Sequence, residues 1–273
     1  MLSKLKGFRK NIQDVKDGKT VHIEAINKDL YEIPDLQDLG SLSNLRSLTF
    51  SHNKIEEVPE NIVLLTNLEH LNLFNNYVEL IDPKINLLMS LKCLNLGMNR
   101  LSSLPRGFGA FPCLEILDLS YNNLTEKMLP DNFFNLVTLR ALYLSDNDFE
   151  YLPSGIGKLE NLEILALRDN DLLRLPNEIG KLSRLKELHL QGNRLSVLPP
   201  ELGNLDLTDS KHVMKLEQNP WVTPIQDQIQ LGISHVFEYI RSETYNFLYN
   251  KHINMDVPIP PRADKSKKVS RKR

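Results

Sequence analysis

Residues 91–111 read LKCLNLGMNRLSSLPRGFGAF, and the first nine of them follow the pattern L-x-x-L-x-L-x-x-N. The pattern recurs along the chain, and its closing asparagines are separated by 23, 23, 23, 25, 23, 23 and 26 residues. These asparagines are Asn53, Asn76, Asn99, Asn122, Asn147, Asn170, Asn193 and, in a weaker copy, Asn219. A nearly fixed period of this length indicates a chain built from stacked copies of one small structural unit.

The central leucines of each unit predict a short β-strand. Leu94 and Leu96 are two residues apart, so they point to the same side of a strand. One unit cannot bury them alone, and the next unit must stack on top to cover them, as in leucine-rich repeats. The predicted fold is therefore an α/β leucine-rich repeat solenoid. It is a curved horseshoe with a parallel sheet on its concave face and a C-terminal capping helix. The asparagine after each strand is expected to hydrogen-bond to neighbouring turns.

The segment that returns to the next strand reads L-P-x-x-[IFL]-x-x-[LF]-x-x-L, as in Leu152-Pro153 followed by Ile156 and Leu159. Proline fixes φ and lacks a backbone donor, so we expect an irregular or short helical convex side. Two departures stand out. Asp82 replaces the expected proline in one repeat, and two extra residues lie within 124–129. Solenoids accept such insertions as loops on one face.

The repeats predict one solenoid with end pieces. The expected organisation is an N-terminal polar segment at 1–20, a degenerate capping repeat at 21–40, leucine-rich repeats at 41–205, a C-terminal cap with a helix at 206–255, and a basic flexible tail at 256–273. The polar segment is expected either to form a short helix or to stay loose. Lys28 takes the asparagine place in the capping repeat.

The C-terminal cap has its own signals. Trp221 is the only tryptophan, and we expect it to plug the last repeat. Thr223, with Gln226 three residues later, has the form of a capping box. Apolar residues then recur at helical spacing, which predicts a helix over about 224–250. Its aromatic stripe is expected to lie over the core, although it could also form a partner-binding face.

Composition limits the classes of function. The net charge is −2, but residues 262–273 carry +6 and residues 1–261 carry −8. The acidic body argues against nucleic acid as the main partner. The basic tail is compatible with a nuclear import signal, with contact to anionic lipid, or with a solvated end. No long apolar run and only two cysteines, Cys93 and Cys113, favour an intracellular, cytoplasmic protein with free thiols.

No catalytic motif is present in the sequence. Arg106-Gly107-Phe108-Gly109 has two glycines of a phosphate loop, but Pro112 stands where the third glycine would be. The seven histidines form no H-x-x-x-H pair, and no C-x-x-C pair occurs, so no metal site is expected. We predict a binding protein that is not an enzyme and needs no cofactor.

The register points to a binding face. The third, fifth and seventh places of each unit point away from the leucines, onto the concave sheet, and the eighth place lies on its rim. Exposed residues there are expected to have no role in folding, and aromatic residues and arginine are enriched at interface hot spots. Gly97 is expected to open space for a partner. The candidate partner-binding residues are Phe74, Asn95, Gly97, Asp118, Tyr121, Tyr143, Asp146, Arg168, Asp169 and His189.

Several stretches resemble the Ras suppressor proteins of animals, which are small cytoplasmic leucine-rich repeat proteins. They are LNLGMNRLSSLPRGFG, ALYLSDNDFE, LHLQGNRLSVLPPELGNLDLT, NPWVTPI and SHVFEYIRSETY. The last two lie outside the generic repeat and are the more specific. The resemblance covers nearly the whole chain.

The resemblance implies a non-catalytic adaptor at cell–matrix adhesions that modulates Ras-linked signalling. The implied partner is the LIM-domain adaptor PINCH and, through it, integrin-linked kinase and parvin. Any zinc would belong to the LIM partner, and membrane contact is expected only through the basic tail. The alternative is a regulatory scaffold that binds a Ras-type GTPase, a kinase or a phosphatase directly, because generic L-P-x-x-I-G-x-L repeats also occur in Ras-pathway scaffolds.

Overall fold

The computed structural model describes residues 6–33, 42–255 and 258–262. Within those residues, nine short strands form one parallel sheet in the order β1-β2-β4-β6-β7-β8-β9-β10-β11. Its strands are β1 (His22–Glu24), β2 (Ser47–Thr49), β4 (His70–Asn72), β6 (Cys93–Asn95), β7 (Ile116–Asp118), β8 (Ala141–Tyr143), β9 (Ile164–Ala166), β10 (Glu187–His189) and β11 (Val213–Lys215). This confirms the predicted leucine-rich repeat solenoid.

Each three-residue strand buries its middle side chain and turns the two flanking side chains outward. In β6 the buried residue is Leu94, which is paired in register with Leu71 on one side and Leu117 on the other. Leu96, just beyond the strand, is also fully buried. The apolar side chains of successive repeats thus form one continuous core inside the solenoid.

The convex side is built from short 3-10 helices. They span Glu60–Leu64, Pro83–Leu87, Phe108–Ala110, Glu126–Met128, Phe133–Asn135, Ser154–Lys158, Asn177–Lys181 and Pro200–Asn204. Asp82, which replaces a proline, caps its helix by accepting a 2.8 Å hydrogen bond from the backbone N–H of Lys84. The two extra residues of the fourth full repeat lie in the stretch that forms the turn Glu126–Met128. A second, two-stranded sheet, which the sequence pattern does not predict, pairs β3 (Glu57–Val58) with β5 (Leu80–Ile81) in parallel.

The asparagine at the end of each unit joins that repeat to the preceding one, as predicted. The Asn122 amide donates to the carbonyl oxygens of Leu96 (3.0 Å), Leu119 (3.0 Å) and Ser120 (3.1 Å). Its Oδ1 accepts from the backbone N–H of Leu101 at 2.9 Å. Asn219, the weaker copy, makes the equivalent bonds to Leu190 and Leu195.

The residue before each asparagine adopts left-handed backbone geometry. Its φ is +57° at His52, +54° at Met98 and +55° at Tyr121, and it is positive at the same place in the other repeats. This conformation turns the chain sharply out of the sheet. It is uncommon for residues other than glycine, asparagine and aspartate.

The N-terminal end is covered by α1 (Lys6–Lys16), so the first of the two outcomes expected for the polar segment occurs. Strand β1 of the capping repeat pairs with β2. At Lys28, the backbone N–H donates to Oδ1 of Asn53 in the next repeat. Residues 1–5 and the end of the capping repeat at 34–40 lie outside the described residues.

The C-terminal cap differs from the single predicted helix. Residues 206–255, all of which are described, contain three α-helices: α2 (Thr223–Leu231), α3 (Ile233–Ile240) and α4 (Glu243–Asn254). Gly232, with φ +120°, separates α2 from α3, and Ser242 caps α4. The prediction of a capping box at Thr223 was wrong, because Thr223 is the first helical residue and makes no side-chain cap bond.

The apolar stripe of the cap does lie over the core. Its members Val236, Phe237 and Ile240 are buried. Phe247 is instead 73% exposed. Trp221 is partly buried against the last repeat, and its indole N–H donates to the carbonyl of Leu216 at 2.8 Å. Residues 256, 257 and 263–273 of the predicted tail lie outside the described residues.

Replacing Leu94 with alanine should lower the free energy of unfolding by about 2–5 kcal/mol, because it opens a cavity in a fully buried stack. Leu87→Ala is the matched control. That side chain is 53% exposed, and its loss should cost less than about 1 kcal/mol. Urea unfolding followed by circular dichroism measures both. Equal losses would contradict the assignment of Leu94 to the core.

Replacing Asn122 with alanine should cost about 2 kcal/mol or more, because buried backbone groups of two repeats lose their partner. Asn135→Ala removes an exposed asparagine of the convex side and should change stability by less than about 0.5 kcal/mol. Thermal and urea unfolding of the two variants give the comparison. An Asn122→Ala protein as stable as the control would refute the role of the asparagine ladder.

Candidate protein-binding face

The concave face presents the outward side chains of the sheet. Register pairing aligns the fifth-place residues of successive strands, so that Asn95, Asp118, Tyr143, Ala166 and His189 lie side by side. Ala166 is buried, and the other four are half-buried. The predicted row of side chains therefore exists, but its members are partly buried and not fully exposed to solvent.

The polar fifth-place residues have a structural duty that sequence analysis did not assign to them. Oδ1 of Asn72 accepts a 2.9 Å hydrogen bond from the N–H of Phe74. Oδ1 of Asn95 does the same for Gly97, at 2.9 Å. Asp118 serves the N–H of Ser120 in the same way, again at 2.9 Å. Each bond satisfies the backbone N–H of the seventh-place residue, just beyond the strand. These side chains therefore stabilise the fold in addition to forming part of the concave surface.

Asp118 and Tyr143 lie in a partly desolvated region at the centre of the row. Burial raises the pKa of the Asp118 carboxyl, and the hydrogen bond from Ser120 partly offsets this effect. Burial also raises the pKa of the Tyr143 phenol, with smaller contributions from Glu187 and Asp118. A partner that supplies a hydrogen-bond donor to Asp118 would meet an incompletely solvated carboxyl group.

The expectation that Gly97 leaves open space for a partner was wrong. Gly97 is buried, and a side chain placed there would meet Asp118, Phe74 and Asn95 at 3.1, 3.2 and 3.3 Å from its Cβ. Phe74 is half-buried and packs edge-on against the ring of His52, with centroids 5.6 Å apart. Gly97 therefore lets neighbouring side chains lean inward.

Arg168 is held in a cluster with three other predicted site residues. Its guanidinium donates to the Tyr121 hydroxyl and lies over that ring, 5.7 Å from the centroid. Oδ2 of Asp146 lies 3.7 Å from an Arg168 nitrogen, and Oδ2 of Asp169 lies 4.0 Å away. The structure thus brings together Tyr121, Asp146, Arg168 and Asp169 across three repeats. The assumption that Arg168 has no intramolecular role was wrong.

His189 is the last predicted residue of the row. Its Nε2 lies 3.3 Å from Oε2 of Glu187 on the same strand. Both side chains face the concave surface near its C-terminal end. This pair is separate from the Arg168 cluster. The residue equivalent to Arg168 in the repeat of His189 is Gln191, which carries no charge.

The third-place residues form an apolar stripe that sequence analysis did not select. Cys93, Ile116, Ala141 and Ile164 are paired in register at the centre of the sheet. Ile116 is 41% exposed, although it is a large apolar residue on a strand. The sequence does contain a signal for this stripe, because each of the four residues stands two places after the first leucine of its unit. Cys93 and Ile164 are half-buried, and Ala141 between the two isoleucines is buried. Exposed apolar surface on a sheet is typical of a binding site.

The second-place residues form an alternating ion-pair row, here called the edge ladder, which was also missed. Its members in chain order are Arg46, Glu69, Lys92, Glu115, Arg140, Glu163 and Lys186. Glu69 lies 2.7 Å from Arg46 and 2.7 Å from Lys92, and Glu163 lies 2.6 Å from Arg140 and 2.7 Å from Lys186. The hydrogen bonds from Lys92 and Arg46 lower the pKa of the Glu69 carboxyl. With four basic and three acidic members, the ladder offsets most of its own charge along one border of the concave face.

Two properties of the described residues concern metal binding and membrane insertion. No group of three or more histidine, cysteine, aspartate and glutamate side chains there is arranged to hold a metal ion. No helix in the same ranges has the length and apolar character needed to cross a membrane. The free thiols are Cys93, which is half-buried, and Cys113, which is exposed.

Comparison with known proteins agrees with the fold. A family model described as a leucine-rich repeat region matches residues 102–219. A leucine-rich repeat protein of Leptospira interrogans superposes with a TM-score of 0.66 at 29% identity, over 77% of this chain and 57% of that chain. The Arabidopsis receptor kinase HAESA, whose structure was solved with a peptide hormone and a co-receptor, superposes with a TM-score of 0.62 at 28% identity. The superposition covers 75% of this chain and 35% of that chain. The chain therefore has the leucine-rich repeat fold.

A more specific similarity is confined to one segment. Over 69 residues the chain is 65% identical to Ras suppressor protein 1 of Mus musculus and of Homo sapiens. The match spans 24% of this chain and 24% of each relative, so it covers about a quarter of their length. Within this segment the match confirms the predicted resemblance to the Ras suppressor proteins. Over the rest of the chain that resemblance stays a prediction.

Replacing Arg168 with alanine should raise the pKa of the Tyr121 phenol further, because Arg168 is the neighbouring charge that lowers it. The free energy of unfolding should fall by about 0.5–1 kcal/mol, as for a half-exposed ion pair. NMR titration of labelled tyrosine measures the pKa. Arg184→Ala, a control on another border of the solenoid, should leave it unchanged. An unaltered Tyr121 pKa in Arg168→Ala would show that the cluster does not form in solution.

Proposed function

We propose that this protein is a non-catalytic adaptor that binds a partner protein through its concave face and acts in Ras-linked signal transduction. The observation that carries the proposal is the apolar stripe around Ile116 and Ile164, which the concave face leaves partly exposed beside Tyr143 and the Arg168 cluster. A contact surface of this kind, with an apolar centre and a charged rim, suits a folded protein better than a small molecule.

The position of the surface supports a macromolecular partner. Leucine-rich repeat solenoids curve to form extended concave binding surfaces. Tyrosine and arginine are the residue types that most often carry binding energy at interfaces. Tyr143 and Arg168 are both half-buried, so a partner can remove the remaining water around them without ordering long, free side chains.

The similarity to Ras suppressor protein 1 gives the proposal its biological setting. On that basis the partner is a LIM-domain adaptor of the PINCH type, reached at cell–matrix adhesions in the cytoplasm and linked through PINCH to integrin-linked kinase and parvin. The acidic residues Asp118, Asp146 and Asp169 favour a partner surface that presents basic side chains. The zinc of such a partner stays within its own LIM domain, and the adaptor itself needs no cofactor.

Calorimetry with a purified PINCH-type LIM domain tests the placement of the site. Tyr143→Ala and Arg168→Ala should each weaken binding by about 2 kcal/mol or more if they are hot spots. Ile116→Ala should also weaken binding, because it removes exposed apolar area. Phe74→Ala, Asn95→Ala and Asp118→Ala complete the scan of the face.

Phe247→Ala is the matched aromatic control. Phe247 is exposed on α4, away from the concave sheet, and its loss should leave the affinity unchanged. Loss of binding in this control, with normal binding by the concave variants, would move the interface to the cap and overturn the proposal. Nucleotide-dependent capture of Ras by the unmodified protein would instead favour the direct GTPase-binding alternative.

A further inference from the structure

A second candidate site lies outside the concave face, where residues 258–262 cross the outer edge of the last repeats. They enclose a cavity of about 100 Å³ against the end of α4. Its apolar wall includes Leu173, Ile253 and Pro258, and its polar wall is made by Arg174, Arg194, Ser196 and His252. The volume holds several water molecules and therefore a phosphate or carboxylate group.

Arg194 is the buried cation of this cavity. The residue is only 8% exposed, yet its Nε donates at 2.7 Å to a backbone carbonyl, that of Pro260. The nearest carboxylate is Glu150, 3.9 Å away, and Glu150 is also paired with Arg262. One carboxylate therefore serves two arginines, and the charge of Arg194 is incompletely compensated.

Arg174 adds a second positive charge. Within the described residues it makes no ion pair, although it lies close enough to His252 to affect its ionisation. Burial lowers the pKa of the His252 imidazole, and the Arg174 charge lowers it further. Nε2 of His252 lies 2.8 Å from Oγ of Ser196, so the two side chains form a hydrogen-bonded pair in the cavity wall.

The excess of positive charge is unusual in this molecule, because residues 1–261 together carry −8. Among the described residues that line the cavity, Arg174 and Arg194 are the basic ones besides His252, and none is acidic. Arginine in a partly dry site is the usual recognition group for oxyanions. We propose that this cavity is a binding site for a small oxyanion, carried by a phosphate or a carboxylate.

In this arrangement Arg174 and the Ser196–His252 pair face the oxyanion directly. The carbonyl oxygen of Pro260 already accepts from two donors of Arg194, Nε and Nη2, and residues 258–260 form the outer wall. An anion bound next to His252 favours its protonated form and raises its pKa. The imidazole of His252 therefore reports occupancy of the cavity.

NMR titration of the His252 imidazole in the full chain tests the proposal. The probes are inorganic phosphate and sodium acetate, each added at constant ionic strength with chloride as the balancing ion. A saturable shift of the His252 signals and a higher His252 pKa are expected with at least one probe. Response to phosphate alone identifies a tetrahedral anion, and response to acetate identifies a carboxylate site.

Arg174→Gln keeps a polar side chain, although a shorter one, and removes the charge, so it should weaken binding by about tenfold or more. Arg184→Gln is the matched control at an exposed arginine elsewhere and should bind like the unmodified protein. Both positions are exposed, so both variants should fold, which thermal denaturation checks. The proposal is overturned if neither probe gives a saturable shift, or if Arg174→Gln binds as tightly as the control. Neither result bears on the concave face.

Discussion

The amide side chain that closes each repeat is the interaction on which the rest of the structure depends. The strands are only three residues long, and such strands cannot hold a sheet together by themselves. Asn122 and its equivalents reach across to a carbonyl and an N–H of the preceding repeat, deep inside the core. These bonds set the distance between turns, and the buried leucines then stack at that distance. The concave surface follows from this spacing.

Because the spacing is fixed, the place of a residue within its unit decides what the residue does. The middle strand position is buried. The third place supplies the apolar stripe. At Asn72, Asn95 and Asp118 the fifth place closes the strand end with a side-chain hydrogen bond. The second place forms the edge ladder, and the eighth carries the left-handed turn. A binding face can therefore be read as parallel rows, in which neighbours in space are about 23 residues apart in sequence.

The fold could be predicted from the sequence because the repeat period is a local signal that occurs many times. The candidate rows followed from the same register. What could not be predicted depends on the shapes of side chains in different repeats. Arg168 meets Tyr121 across 47 residues, and Phe74 leans over Gly97. The break between α2 and α3 depends on the backbone of Gly232, which the apolar spacing concealed. The partial burial of the row, and hence the structural duties of Asn95 and Asp118, needed three-dimensional information.

The edge ladder has a consequence for how proteins of this design can change in length. Its signs alternate strictly from Arg46 to Lys186, one charge for each repeat. Deleting the unit that contains Glu69 would bring Arg46 beside Lys92, and duplicating any single unit would place like charges next to each other. Removing or adding two units together preserves the alternation. Insertions and deletions of repeats in this region should therefore involve an even number of units, because only an even number preserves the alternation of charge along this border.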